Sequence, residues 1–293
     1  MDSANLQAFL AVAHSGSFSR AAEQLHLTQP AISKRIASLE QQLDCQLFDR
    51  MGRSITLTEA GRALKPRAEH LLNLLHDTRR ALGNLSRRVQ GQLSIATSHH
   101  IGLHRLPPVL RRFSKAFPGV ALDIRFLDSE VAHEQVLHGA IELAVVTLPP
   151  HSEPPLSSTH IWHDPLAVVV APEHPLANQS RVSLQQLAEH PAVLPESHTV
   201  THRIVSERFA RHQLTPRVSM TTNYMETLKM LVSIGLAWSV LPQTMLDGQV
   251  RRLPINGLDL HRELGVVRHT GRTLSNAAHA FIQTLQQDRE EQK

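Results

Sequence analysis

Four polar residues at helical spacing, Gln29, Ser33, Lys34 and Arg35, are the stretch of this sequence best equipped for recognition chemistry. Gln and Arg pair bidentately with base edges, while Ser, Lys and Arg hold phosphates. Thr28 stands where it can cap the helix that carries them. Pro30 falls in that helix's first turn, where its missing N–H is harmless. On the opposite side Ile32, Ile36, Leu39 and Leu43 form one apolar stripe. A shorter helix precedes it, with Ser19 as its cap and Ala22 and Leu25 turned inward. Two short helices joined by a tight turn build a helix-turn-helix, whose second helix enters the major groove. An ordinary helical hairpin with a solvated polar face has the same spacing.

The flanking elements must hold that helix in place. Residues 3–14 read as a helix with Leu6, Phe9, Leu10 and Ala13 on one face. Residues 47–58 read as a β-hairpin turning at Met51-Gly52, with Arg50 and Arg53 beside its tip, where a wing meets the DNA backbone or minor groove. Residues 58–88 read as one long helix bent near Pro66. Leu64, Ala68, Leu71, Leu75, Thr78, Leu82 and Leu85 form a heptad seam along it that calls for a partner, a second subunit or else the helix's own domain.

The order and spacing of Ala21-Ala22, Leu25, Leu27-Thr28-Gln29-Pro30-Ala31-Ile32-Ser33, Ile36, Leu39-Glu40, Leu43, Leu47-Phe48, Arg50, Arg53, Leu57-Thr58 and Ala60-Gly61 resemble the N-terminal domain of the LysR-type transcriptional regulators. Asp44 departs from that pattern, which usually has Gly there. The position calls for a left-handed backbone, which Asp tolerates better than most residues. The resemblance implies a winged helix-turn-helix over residues 1–58, then a dimerising linker helix and hinge over 59–90. An α/β effector domain like a periplasmic binding protein would follow over 91–293, with subdomain I at 92–161 and 268–293 and subdomain II at 162–267. It implies sequence-specific operator binding as a homodimer or homotetramer, contact with RNA polymerase, and a small-molecule inducer between the subdomains. Thr28, Gln29, Pro30, Ser33, Lys34, Arg35, Arg50 and Arg53 become the DNA-contact candidates, and Leu64, Leu71, Leu75, Leu82 and Leu85 the dimer seam.

Composition agrees. The chain has 293 residues, enough for about two domains. Its formal excess of +4 lies entirely within residues 1–90, where 12 Lys and Arg face 8 Asp and Glu, while the remainder is balanced at 18 each. A nucleic-acid partner is therefore expected for the N-terminal part alone. There is no apolar run long enough for a membrane span and no signal-peptide pattern, so a cytoplasmic protein without a membrane partner is expected. The single Cys45 rules out an internal disulfide. The 20 histidines are scattered, with no HExxH motif, and no metal site or cofactor is expected.

Beyond residue 91 short apolar runs alternate with helical patterns, the mark of an α/β fold with a mostly parallel sheet. Strands are expected at Leu93–Thr97, Ala121–Leu127, Leu143–Thr147, Leu166–Ala171, Ala192–Leu194, Val218–Thr221, Leu236–Leu241 and Leu264–Arg268. In such folds ligands sit beyond the carboxyl ends of strands. That rule, with the cleft implied by the resemblance, selects Ser98, His100, Ser129, Thr147, Thr199 and Thr201 as effector contacts. Hydroxyls at helix starts are also ordinary caps. These stretches contain no Lys or Arg, which points to a small carboxylate or other weak anion rather than a phosphate ester. Protonation of His100 near pH 6.5 would strengthen such binding. No Ser-His-Asp motif or phosphate loop suggests catalysis, and the chain is not expected to be an enzyme. A solute-binding protein or enzyme on the same architecture would leave residues 17–57 unexplained. An architectural DNA-binding protein would need no cleft.

Overall fold

Helix stops and starts in the N-terminal unit follow local chemistry. A computed structural model describes residues 2–49, 55–86, 88–255 and 257–291. Helix α1 (Ser3–Ser15) opens at Asp2, whose carboxylate accepts the Ala4 N–H, and ends at Gly16 with φ of 63°. Helix α2 (Phe18–Gln24) is capped by Ser17, not by Ser19 as expected; the Ser17 hydroxyl accepts the Arg20 N–H. Helix α3 (Gln29–Leu43) has Thr28 as its cap, accepting the Ala31 N–H at 3.4 Å. Asp44 follows at φ 51°, the left-handed conformation expected of it. Ile32, Ile36 and Leu39 are fully buried against Leu6 and Phe9 of α1 and their neighbours, but Leu43 is 37% exposed. The inner stripe instead takes in Glu40, whose carboxylate accepts the Leu47 N–H at 2.8 Å and ties α3 to the next strand.

That strand, β1 (Phe48–Asp49), pairs antiparallel with β2 (Thr56–Leu57), so the base of the wing is present. Its tip, with Arg50 and Arg53, lies outside the described residues. Helix α4 (Glu59–Asn84) begins at Thr58 and continues through Pro66. Gly61 is required in its first turn, because a Cβ there would stand 2.2 Å from the Leu47 carbonyl oxygen. The seam on α4 divides into two. Ala68 and Leu72 are buried in the core of their own unit, and Leu64 and Leu71 pack against it. Leu64 and Leu71 are therefore not uncovered, contrary to expectation, because α1–α3 do not bury their apolar faces without them. Farther along, Leu75, Leu82 and Leu85 are exposed, joined by Leu74, which the heptad reading omits.

By internal contacts the chain forms two units, Met1–Ser86 and Arg87–Lys293. The second runs β3 (Gly91–Thr97), α5 (His99–His104), α6 (Leu106–Ala116), β4 (Val120–Phe126), α7 (Ser129–Leu137), β5 (Leu143–Thr147), β6 (Leu156–Val170), α8 (Leu184–Ala188), β7 (Pro191–Leu194), α9 (Val200–Ala210), β8 (Arg217–Thr221), α10 (Met225–Ser233), β9 (Ser239–Pro242), β10 (Arg251–Arg252), β11 (Leu260–His269) and α11 (Asn276–Glu291). Its main sheet has the order β10-β6-β11-β5-β3-β4, with β9 also on β6.

Among the described residues, parallel pairing joins β3 with β4 and β5, and β7 with β8, and a single parallel bridge links Ala192 of β7 to Trp238 ahead of β9. The sheet is therefore mixed rather than mostly parallel. The long strands β6 and β11 carry the chain out and back, and each runs antiparallel to all its neighbours. Period-two alternation then buries both faces. In the first lobe Ile95, Leu143 and Val145 pack with α6 and α11, while Ala96, Ala144 and Val146 pack with α7. In the second lobe Val168, Leu194 and Val240 pack with α8 and α9, while Val169, Val193 and Leu241 pack with α10. The lobes are joined by β6 and β11, paired from Leu156 to Leu166, with a bulge at Leu264/Gly265. A Cβ at Gly265 would meet the Thr159 carbonyl oxygen at 2.1 Å, so only glycine fits that close approach.

Candidate DNA-binding surface and effector cleft

On the N-terminal unit, the first turns of α3 stand clear of the core. Thr28, Gln29, Pro30 and Lys34 are exposed, and Ser33 and Arg35 half-buried. Gln29 Nε2 donates to Ser33 Oγ at 3.1 Å, holding two of the candidates side by side one turn apart. The arrangement offers hydrogen-bonding groups and a cation on one continuous helical face, as groove recognition needs.

In the second unit, all six candidates from the sequence line one cavity of about 570 Å³ between the lobes. That is the size of a small-molecule site. Ser98 and His100 come from the end of β3 and from α5, Ser129 from the start of α7, and Thr147 from the end of β5. Thr199 and Thr201 come from the start of α9. The first turns of α7, α9 and α10 open into the cavity through Ser129 and Glu130, Val200, and Met225. His99, Phe126 and Tyr224 meet edge to face, His99 lying 5.7 Å from each of the other two rings.

The hydroxyls are not equivalent. The Thr147 and Ser98 hydroxyls make no hydrogen bond among the described residues, and both face the cavity. Ser129 Oγ accepts the Thr147 N–H and keeps its own proton to donate. Thr199 Oγ1 donates to the Glu196 carbonyl and accepts the His202 N–H, so it is fully engaged as the cap of α9. Besides His104, which meets Glu226 at 3.0 Å, acidic side chains of the first lobe reach the second. Glu130 accepts the Val200 N–H at 3.1 Å, and Asp128 accepts from Asn223 Nδ2 at 2.8 Å.

A model described as LysR substrate binding domain matches residues 86–290, and one described as bacterial regulatory helix-turn-helix protein, lysR family, matches residues 3–62. The chain belongs to the LysR family. It is a LysR-type transcriptional regulator with a helix-turn-helix DNA-binding domain and an effector-binding domain. It is 32% identical to the regulator CfxR of Cupriavidus necator, over 93% of this chain and 87% of that one. It is 31% identical to the RuBisCO operon transcriptional regulator of Allochromatium vinosum, over 94% and 92%. Among solved structures, CbnR complexed with its target DNA has a TM-score of 0.67 at 22% identity, covering 98% of this chain and all of that one. No helix among the described residues is long and apolar enough to cross a membrane.

This LysR-type regulator also brings to the cleft a residue that the loops alone do not disclose. Arg262, from β11, lines the cavity and is 4% exposed. Its Nε and Nη2 donate to Asp164 Oδ2 at 3.1 and 2.5 Å, and its Nη1 donates to Thr201 Oγ1 at 3.1 Å. Arg105 approaches the other Asp164 oxygen at 3.4 Å. The cleft is therefore not free of cations, because the crossover strand supplies one. Alternation signals its burial, since Arg262 shares a strand face with Leu260 and Leu264, but not its place in the cleft.

His100 is also different from expectation. Burial above all, then the nearby Arg262 guanidinium, pushes its pKa down to about 4. It is neutral near pH 6.5 and gives the cleft no charge switch there. The histidines are not all dispersed either: His100 and His104 meet Glu226, and His163 and His261 meet Glu263.

Proposed function

We propose that this regulator reads an operator through Gln29, Ser33, Lys34 and Arg35 at the start of α3, with Thr28, Pro30, Arg50 and Arg53 in flanking contacts. It answers to a small effector held between the lobes. The convergence of free hydroxyls, three helix starts and Arg262 on one cavity carries the effector reading. Helix starts and a guanidinium favour a weak anion such as a carboxylate. The cavity is larger than a small carboxylate needs, and Phe126, Val131, Tyr224 and Met225 offer contact to an apolar body.

The exposed Leu74, Leu75, Leu82 and Leu85 support dimerisation through the far half of α4. Two-fold pairing then matches a near-palindromic operator. Assembly to a homotetramer, contact with RNA polymerase, a cytoplasmic location, the absence of catalysis and the division at residues 58 and 90 belong to the same reading. Effector binding shifts the lobe arrangement only by its differential affinity for the two states.

Genomic occupancy by chromatin immunoprecipitation identifies the operator. Operator and random-DNA affinities across salt concentrations then test the interface. Gln29→Ala is expected to cost about 1–3 kcal/mol on the operator and little on random DNA. Lys34→Ala is expected to weaken both and to flatten the salt slope. Equal losses on both DNAs for Gln29→Ala refute its base-reading role.

A further inference from the structure

His100 and His104 stand four residues apart on α5, so their rings share one helical face, with centroids 4.9 Å apart. Opposite them, Glu226 sits in the first turn of α10, in the other lobe. One ligand atom from each of the three residues lies within 4.8 Å of the others. His104 Nε2 and Glu226 Oε1 are already 3.0 Å apart.

Two features say that the group is incomplete. Both ring nitrogens of His100 are buried with no hydrogen-bond partner among the described residues, and so is Glu226 Oε2. A buried imidazole must carry one N–H and one lone pair, and leaving both unsatisfied is costly. Neutral imidazole is also the form that ligates metal.

We propose that His100, His104 and Glu226 bind one divalent late transition ion that clasps the two lobes beside the effector cleft. Two nitrogen donors argue against Ca²⁺ and Mg²⁺, which take oxygen. Zn²⁺ suits two imidazoles and a carboxylate, with no fixed geometry to satisfy. Ligand atoms around Zn²⁺ bonded at about 2.0–2.1 Å lie somewhat over 3 Å apart. The widest pair of ligand atoms therefore needs to close by at most about 1.5 Å, within reach of side-chain rotation. Three protein ligands leave one position for water or for a donor group of a cleft ligand. Because α5 and α10 belong to different lobes, the ion favours the arrangement in which they approach.

The test uses the full chain, stripped with chelator and titrated with Zn²⁺ by calorimetry, and with Co²⁺ followed through its visible d–d bands. One saturable site per chain is expected. His104→Ala and Glu226→Gln, both at half-exposed positions, are expected to weaken it by more than about tenfold and to remove the Co²⁺ bands. His261→Gln, in the exposed cluster with His163 and Glu263, is expected to leave it unchanged. Circular dichroism confirms that each variant folds. Zn²⁺ is expected to raise the melting temperature of the wild type and not of His104→Ala. No saturable uptake by the wild type overturns the proposal, as does uptake that survives both His104→Ala and Glu226→Gln or is lost in His261→Gln alone.

Discussion

Replacing Asp164 by Asn is expected to destabilise the effector unit by about 3–5 kcal/mol, the cost of stranding a buried cation. Asp164 is fully buried and Arg262 is 4% exposed, so water does not replace the lost partner. The carboxylate takes two bonds from Arg262 and faces Arg105 across 3.4 Å. An Asn side chain keeps the shape but turns an amide donor toward a guanidinium that only donates. Bonds to charged groups contribute about 1.5–3 kcal/mol each, and the longer Arg105 approach adds the least.

The residues stand directly opposite each other on β6 and β11, so the damage falls on the strands that join the lobes. Both tryptophans, Trp162 and Trp238, lie in this unit, one in each lobe. Urea unfolding followed by their fluorescence therefore reports the effector unit alone. Asp164→Asn combined with Arg262→Met is expected to lose less than Asp164→Asn alone, because the stranded charge is gone. A loss below about 1 kcal/mol for Asp164→Asn at an unchanged urea slope refutes the reasoning, as does a double variant that loses the full sum.

Leu82→Asp with Leu85→Asp is expected to prevent dimerisation through α4 and to lower operator affinity sharply as avidity is lost; sedimentation and footprinting decide. The same change at Leu71 tests folding rather than assembly, because Leu71 packs in its own core. Thr147→Val is expected to abolish the response to the natural inducer while basal operator affinity holds, as read by reporter output beside a binding curve. Thr199→Val, by contrast, should cost roughly 1 kcal/mol of stability as a lost helix cap, which thermal melting of the effector unit measures. Gly61→Ala is expected to cost the N-terminal unit about 1–3 kcal/mol through the clash with the Leu47 carbonyl, and with it operator binding.

The helix-turn-helix is legible because its signals are local. Thr28 caps, Asp44 turns the chain, and the apolar stripe lies within one helix, so neighbours in sequence are neighbours in space. The errors there are small, Ser17 displacing Ser19 as a cap and Glu40 taking the inner place expected for Leu43. The cleft loops are legible because ligands follow strand ends. What escapes is set by distant contacts. Residues 156–165 form the first part of β6, yet Ser157, Ser158, Thr159, His160 and His163 show no apolar period; pairing with β11 makes them a strand. Helix α5, six residues including Gly102, is too short for periodicity to disclose. Arg262 escapes because its place in the cleft depends on how a crossover strand threads between lobes.

If the cleft holds the effector as proposed, the two hydrogen bonds that Asp128 and Glu130 accept across it set a threshold for sensing. A ligand that enters only when the lobes part must first see those bonds broken, so its apparent affinity is its intrinsic affinity multiplied by the open fraction. If the two bonds together hold the lobes shut by about 1.4 kcal/mol, ten times more effector is needed for half-occupancy. Glu130 sits on the Val200 N–H, where a ligand carboxylate would also gain most from the start of α9, so on that reading it would be a built-in competitor. The concentration range of such a sensor can thus be retuned through the Asp128–Asn223 bond, which sets the open fraction rather than the α9 N–H groups offered to the ligand.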